Sequence, residues 1–299
     1  MIRALLASAA ALAVPQHSPE FARQRAEWNQ PAEPFRVIGN IHYVGTAGLS
    51  AFLITTRAGH VLIDGGMEES AERIATNVVK LGYRMRDVRY ILINHAHWDH
   101  AGGLARLKKL APGALLVSSL PERPVLELGR SLDRDDLARF ERVRVDRLVL
   151  DRQVLGVGDV RLVPHLTPGH TQGCTSWSLQ MRDPRVGGRI LNVLFACSLT
   201  VAGQRLVGNS RYPEIVGDFR RSFAMLERMS ADVFLTFHPE FFGMAEKRRA
   251  QVGGDVAAFI DPGELRRRVA TARAAFEAEL KAQRRGRSVT VEPSSDGHH

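Results

Sequence analysis

Residues 95–100 read His-Ala-His-Trp-Asp-His, so three imidazoles and one carboxylate lie close together in the chain. They follow an apolar run, 90–94, that predicts a buried strand, and they precede small residues that lead into a helix. Nitrogen and oxygen donors in this mixture suit a divalent ion of intermediate softness, and zinc is the first expectation. The segment therefore predicts a metal site at the end of a strand.

This segment cannot complete a site by itself. Its first two histidines can converge on one ion, whereas Asp99 and His100 are adjacent and better placed to reach a second. Each ion then needs a further ligand, and the sequence offers His170 and His238, each just after a strand-like run. Because α/β folds usually place chemistry on loops at strand ends, we expect these segments to meet.

The order His-x-His-x-Asp-His, then Pro-Gly-His-Thr at 168–171, then His-Pro at 238–239 resembles the metallo-β-lactamase superfamily. The likeness is greatest to class B β-lactamases of the third subclass, and it extends from about Trp28 to the C-terminal helix. It implies an α/β fold, the αββα sandwich of two mixed β-sheets flanked by helices. It also implies two zinc ions per chain, with His95, His97 and His170 on the first and Asp99, His100 and His238 on the second.

In the resembled enzymes a metal-bound hydroxide between the zinc ions opens the β-lactam ring without a covalent intermediate. The resemblance thus implies a zinc-dependent β-lactamase acting on antibiotics such as carbapenems and cephalosporins, with Asp99 and the hydroxide as catalytic groups. By the same likeness Ser198, Thr200 and Trp28 contact the substrate, and Asp64 supports the metal ligands. Trp28 has an equal alternative as an anchor of the N-terminal arm, which we expect to be extended, and Asp64 has one as a simple turn residue.

One segment departs from the pattern of the family. Glyoxalase-II-type hydrolases usually carry a metal-bridging aspartate in the region of 193–198, and this chain has none there. Third-subclass enzymes typically read Asp-Ser-Leu where this chain reads Cys-Ser-Leu, at 197–199. The missing aspartate argues against the alternative, a dizinc hydrolase of another ester, lactone or thioester. The strongly charged segment 121–151 argues for the alternative, because in the resembled lactamases this region shapes one wall of the active site. Its helical spacing over 135–143 predicts a solvated helix or a loop flanking the groove.

The two cysteines, Cys174 and Cys197, lie on runs that could form a hairpin centred near Arg185 and Val186. In that register they face each other at the separation that a disulfide needs. Export would favour oxidation, so we expect one disulfide. A buried reduced pair, or Cys197 as a zinc ligand, is the alternative.

Residues 1–13 combine a short basic start, an apolar segment and an Ala-x-Ala ending, which predicts a signal peptide and a periplasmic location. A buried N-terminal helix is the alternative. We expect 14–284 to form a single domain of two halves that meet near residue 151, and 285–299 to be a disordered tail. No other stretch is long enough to span a membrane.

The net charge of +9 raises a nucleic-acid hypothesis, but the arginines are dispersed with few aromatics between them. We expect a monomer that binds small β-lactams and no nucleic acid.

Overall fold

Two β-sheets pack against each other between outer layers of helices in the computed structural model, which describes residues 18–286. This arrangement confirms the predicted αββα sandwich. The predicted signal peptide, 1–13, and residues 287–299 of the predicted tail lie outside the described residues. No helix between residues 18 and 286 has the length and apolar content needed to cross a bilayer.

The first sheet has seven strands that follow one another in chain order. Its first four strands pair antiparallel, and from the fourth to the seventh the pairing is parallel. The strands are β1 (Phe35–Ile38), β2 (Ile41–Tyr43), β3 (Phe52–Thr56), β4 (Gly59–Ile63), β5 (Val88–Leu92), β6 (Leu115–Ser119) and β7 (Arg147–Val149).

The second sheet has five strands, which are β8 (Leu155–Val157), β9 (Val160–Leu166), β10 (Thr175–Arg182), β11 (Ile190–Ala196) and β12 (Val233–Thr236). Its spatial order is β12-β11-β10-β9-β8, with a parallel pair only between β11 and β12. The first sheet ends at Val149 and the second begins at Leu155, on either side of residue 151.

Eight α-helices accompany the sheets within residues 18–286. They are α1 (Pro19–Trp28), α2 (Ala71–Lys80), α3 (Trp98–Ala101), α4 (Leu104–Leu110), α5 (Arg123–Leu128), α6 (Ile215–Glu227), α7 (Met244–Val252) and α8 (Glu264–Arg284). Successive side chains of a strand point to opposite faces, so the first sheet contributes to two cores. Phe52 and Ile54 of β3 belong to the core between the sheets, whereas Leu53 packs in the core with α2 and α4.

One local prediction is wrong. Trp28 does not begin an extended arm but ends α1, whose start is marked by the Ser18 hydroxyl, which accepts the Phe21 N–H at 3.1 Å, and by Pro19 at the first position. The segment 131–146 holds no helix, so the loop alternative is the one observed. Leu137, Ala138 and Phe140 pack in one cluster with Trp98 and with Phe21 of α1. Val143 and Val145 pack in the core that contains α2 and α4.

Candidate metal centre

Three loops that follow β5, β9 and β12 meet at one end of the sandwich. The first loop continues into the single turn of α3, so Asp99 and His100 lie on helical backbone. His170 lies on the loop between β9 and β10, and His238 directly follows β12. All six predicted donor residues are buried and form two clusters.

The first cluster contains His95, His97 and His170, whose donor atoms lie within 4.8 Å of one another. Nδ1 of His97 and Nε2 of His170 are 3.1 Å apart. Burial lowers the pKa of His170 to about 4, and burial likewise holds the pKa values of His95 and His97 well below the usual range. The three rings are therefore neutral at pH 7. Neutral imidazoles are the form in which histidine binds a metal ion, so the convergence of their ring nitrogens suits a cation.

The second cluster contains Asp99, His100 and His238. Oδ2 of Asp99 lies 3.2 Å from Nε2 of His100 and 3.4 Å from Nε2 of His238. Burial alone would raise the pKa of Asp99, but His100 and His238 hold it well below its usual value. Burial opposes protonation of His100, yet Asp99 raises the pKa of that ring. One carboxylate and two imidazoles thus converge on a space suited to a positive charge.

Two backbone carbonyls orient the histidines from outside the clusters. Nδ1 of His170 lies 2.8 Å from the Thr200 carbonyl oxygen, and Nδ1 of His238 lies 2.7 Å from that of Gly48. Since a carbonyl only accepts, each Nδ1 carries the proton and donates it. Each Nε2 therefore keeps its lone pair directed into its cluster, as in metal-binding histidines with an outer partner.

Asp64 lies against the second cluster. Its Oδ2 is 3.6 Å from Nδ1 of His100, and its Oδ1 accepts the Asn94 N–H at 3.0 Å. Its φ of +66° is also that of a turn residue, so the two interpretations of Asp64 describe the same geometry.

The donor chemistry of both clusters fits zinc. Imidazole nitrogens and a carboxylate oxygen are the nitrogen and oxygen ligands that zinc takes. Nε2 of His97 is buried without a hydrogen-bond partner, and the two ring nitrogens of His100 lack hydrogen-bond geometry although they face Asp99 at 3.2 Å and Asp64 at 3.6 Å. Buried polar groups are normally satisfied, so these orphaned atoms are consistent with rings arranged for a metal ion.

The predicted substrate contacts lie beside the clusters. The hydroxyls of Ser198 and Thr200 are 3.1 Å apart, and the Thr200 hydroxyl is 3.4 Å from Nδ1 of His170. The half-buried Trp28 ring packs against His238, with centroids 4.8 Å apart, and against Trp98 at 6.1 Å. Trp28 therefore both borders the site and anchors α1 to the body.

Cys174 and Cys197 form the expected disulfide, with a Cα separation of 5.9 Å. The predicted register, however, is wrong by one residue: Trp177 pairs with Phe195, and this register places Cys174 opposite Ser198. The bond forms nevertheless because both cysteines lie beyond the last paired residues of β10 and β11. Cys197 Sγ lies 3.9 Å from a ring nitrogen of His95, but a bonded sulfur is no thiolate ligand.

Several residues at the site were missed by sequence reasoning. The buried Glu122 bonds to both loops of the first cluster. Gln204 donates to the carbonyl of His170 at 3.1 Å and to Asp133 at 2.8 Å. Arg134 is close enough that its charge helps to lower the pKa of His170. For Glu122 and Arg134, the only indication in the sequence was that they belong to the charged segment 121–151. In the structure, residues of this segment and of 203–211 line a cleft of about 290 Å³.

Known proteins resemble this chain over most of its length. The sequence model of the metallo-β-lactamase superfamily matches residues 45–238. BJP-1, a subclass B3 metallo-β-lactamase of Bradyrhizobium japonicum, is 41% identical, with a TM-score of 0.82 and coverage of 88% of this chain and 98% of that one. The metallo-β-lactamase of Cronobacter sakazakii with an HARLDQ motif is 41% identical, with a TM-score of 0.83 and coverage of 87% and 99%.

Among curated proteins, the N-acyl homoserine lactonase of Bacillus cereus is 33% identical over 75 residues. That match covers 17% of this chain and only 30% of the lactonase.

Proposed function

The chain belongs to the metallo-β-lactamase superfamily, and from that premise we propose that it is a zinc-dependent β-lactamase. The observation that carries the proposal is the convergence of one three-histidine cluster and one Asp-His-His cluster in a fold shared with subclass B3 enzymes. The proposed reaction is hydrolysis of the β-lactam amide in carbapenems and cephalosporins, without a covalent intermediate.

We propose two zinc ions per chain, one in each cluster. Zinc supplies positive charge that polarises a carbonyl and lowers the pKa of water, so hydrolysis near pH 7 needs no nucleophilic side chain. The chain contributes two imidazoles, those of His170 and His238, whose Nδ1 atoms donate to the carbonyls of Thr200 and Gly48 and whose Nε2 atoms face the clusters. The Asp99 side chain keeps 11% exposure, so it can orient an attacking water as well as bind metal.

Substrate recognition is assigned to the groove beside His170. A β-lactam antibiotic presents a carboxylate, and the neighbouring hydroxyls of Ser198 and Thr200 can both donate hydrogen bonds to it. Arg134 lies on the same side, where its guanidinium pairs with Asp136 and donates to the Ala202 carbonyl. Trp28 offers an apolar ring face at the opposite border, next to His238.

We also propose that the protein acts as an exported monomer in the periplasm, after removal of residues 1–13. The Cys174–Cys197 disulfide supports export because disulfides persist mainly in oxidising compartments. The mass of the protein recovered from periplasm tests this proposal, since an intact N-terminus would contradict it.

The decisive experiment measures hydrolysis of a carbapenem and a cephalosporin by the zinc-loaded protein, with and without a chelator. We expect turnover that the chelator abolishes. His97→Ala removes a donor of the first cluster and should abolish turnover in a folded protein. His165→Ala is the matched control, since His165 lies outside both clusters and contacts Ser178 instead; it should keep turnover.

A second candidate, hydrolysis of a lactone, is favoured by the local likeness to the N-acyl homoserine lactonase. An N-acyl homoserine lactone is therefore tested in parallel. Turnover of the lactone by a protein that holds two zinc ions but cleaves neither β-lactam would replace the first proposal with the second.

A further inference from the structure

Glu122 connects the two loops that carry the first cluster. Its side chain is buried, with 2% of the residue exposed. Oε2 accepts the N–H of Ala96, which lies between the two histidines of 95–97, at 3.2 Å. Oε1 accepts a hydrogen bond from the hydroxyl of Thr171, the residue after His170. A single carboxylate therefore spans the space between segments that are distant in sequence.

No cation compensates the charge of Glu122 within the described residues. Its charged neighbour is Asp133, which is also an acid. Burial raises the pKa of Glu122 to about 7, although the hydrogen bonds from Thr171 and Ala96 act in the opposite direction. A buried carboxylate without a cationic partner is costly, so such a group is a candidate for a functional role.

The loop after β9 is shaped to fit against Glu122. A Cβ at Gly173 would lie 2.4 Å from Cγ of Glu122 and 2.6 Å from the Ser119 hydroxyl. That hydroxyl donates to the Gly173 carbonyl at 2.6 Å. This hydrogen bond holds the loop against the end of β6. Glycine is thus required at residue 173 because the side chain of Glu122 occupies this space.

We propose that Glu122 is a positioning residue for the first zinc site, holding His95, His97 and His170 at binding separation by tying their two loops together. The assignment rests on the zinc sites of the proposed function but not on the substrate. Without these hydrogen bonds from Glu122, the distance of 3.1 Å between Nδ1 of His97 and Nε2 of His170 would no longer be maintained. Since the second cluster makes no hydrogen bond to Glu122 in the described part of the chain, its affinity should be spared.

The test separates the two zinc sites by removing one cluster at a time. His238→Ala leaves the first cluster intact, and His170→Ala leaves the second. In each background, competition with a chromophoric chelator gives the zinc affinity of Glu122→Ala, Thr171→Val and Glu122→Gln. Glu127→Gln is the matched control: it removes a nearby acid that pairs with Arg123 on α5 and contacts neither loop.

We expect Glu122→Ala and Thr171→Val to weaken zinc binding at the first site by about 10- to 100-fold, as for other lost outer partners, and to spare the second. Glutamine can accept from Ala96 through its oxygen and donate to Thr171 through its nitrogen. Glu122→Gln should therefore restore most of the affinity, and Glu127→Gln should match the parent.

Three results would overturn the assignment: unchanged first-site affinity in both bridge-breaking variants, an equal loss at both sites, or a glutamine variant as weak as alanine. An equal loss would mean a merely structural role, and a weak glutamine variant would mean that charge matters instead of the bridge. If Glu122→Ala does not fold, Thr171→Val carries the test. Absence of β-lactam turnover in a two-zinc protein would refute the function while leaving these affinities interpretable.

Discussion

His238 donates through Nδ1 to the carbonyl of Gly48 at 2.7 Å, and Gly48 donates its own N–H to the carbonyl of Trp28 at 3.0 Å. The Trp28 ring packs on the His238 ring from the other side. The orientation of one imidazole of the second cluster therefore depends on the end of α1. This connection makes the N-terminal helix part of the support of the candidate metal centre.

Gly48→Ala should weaken zinc binding in the second cluster by about 10- to 100-fold, the range for lost outer partners. A Cβ at residue 48 would lie 2.5 Å from Cδ1 and 2.7 Å from Cα of Trp28, so backbone must shift. The competition titration with a chelator measures the effect. Gly113→Ala is the control, because a Cβ there meets nothing within 4 Å. Equal affinities in the two variants would contradict the role of Gly48.

Thr200→Val should raise KM for a carbapenem by about tenfold or more, because a lost hydrogen bond to a charged group is worth about 1.5–3 kcal/mol. The substitution removes the hydroxyl but keeps the carbonyl that orients His170. Zinc content should therefore stay at the wild-type value, and kcat should fall less than kcat/KM. Steady-state kinetics with a parallel zinc assay check this. Loss of zinc would show that the side chain, and not only the backbone, supports the metal.

The convergence of six candidate donor residues could be predicted from sequence because histidine and aspartate at short spacing after apolar runs are distinctive. The fold was predicted from the resemblance to the metallo-β-lactamase superfamily that these residues carry. The outer supports could not be identified in the same way. Every residue has a carbonyl, so nothing marks those of Gly48 and Thr200 as the ones that face an imidazole. Glu122 likewise resembles any acid of its charged segment until the fold buries it.

The hairpin shows another limit of sequence reasoning. The cysteine pair was predicted correctly from a register that is wrong by one residue. The turn contains a short 3-10 helix, Pro184–Val186, and the Asp183 side chain accepts the N–H of Arg185 at 2.9 Å. Hydrogen bonds from side chains help to set the geometry of the turn. A register predicted by pairing residues symmetrically about the turn does not take them into account. The register error does not affect the cysteine pair, because both cysteines lie beyond the strand ends, where the hydrogen bonds between β10 and β11 no longer fix the pairing.

Removal of the disulfide should lower the free energy of unfolding by about 3 kcal/mol, since it closes a loop with a sequence separation of 23. The double variant Cys174→Ala, Cys197→Ala avoids leaving buried polar thiols. Urea denaturation of zinc-free protein compares the variant with the oxidised parent. Equal midpoints and slopes for the two proteins would contradict a stabilising disulfide.

Two buried histidines outside the metal centre, His42 and His60, should add to a fall in stability in mild acid. His42 and His60 each leave Nδ1 without a hydrogen-bond partner, and both rings pack against Tyr83 at 5.5 and 4.9 Å. Burial, helped by Arg36, lowers the pKa of His42 below its usual 6.5, and burial also lowers that of His60. Below pH 6.5 the unfolded chain therefore takes up protons first, and stability decreases until the folded pKa is passed.

His42→Phe keeps an aromatic ring beside Tyr83 but cannot be protonated. We expect the difference in unfolding free energy between parent and variant to be constant above about pH 7 and to move in favour of the variant as the pH falls below about 6.5. Urea denaturation in the presence of a chelator excludes changes in zinc binding. The variant His165→Phe replaces a half-buried ring that bonds to Ser178 and whose pKa burial also lowers, so its difference from the parent should change with pH in the same direction. A parent-to-variant difference for His42→Phe that does not change with pH would show that the protonation of His42 is not linked to folding.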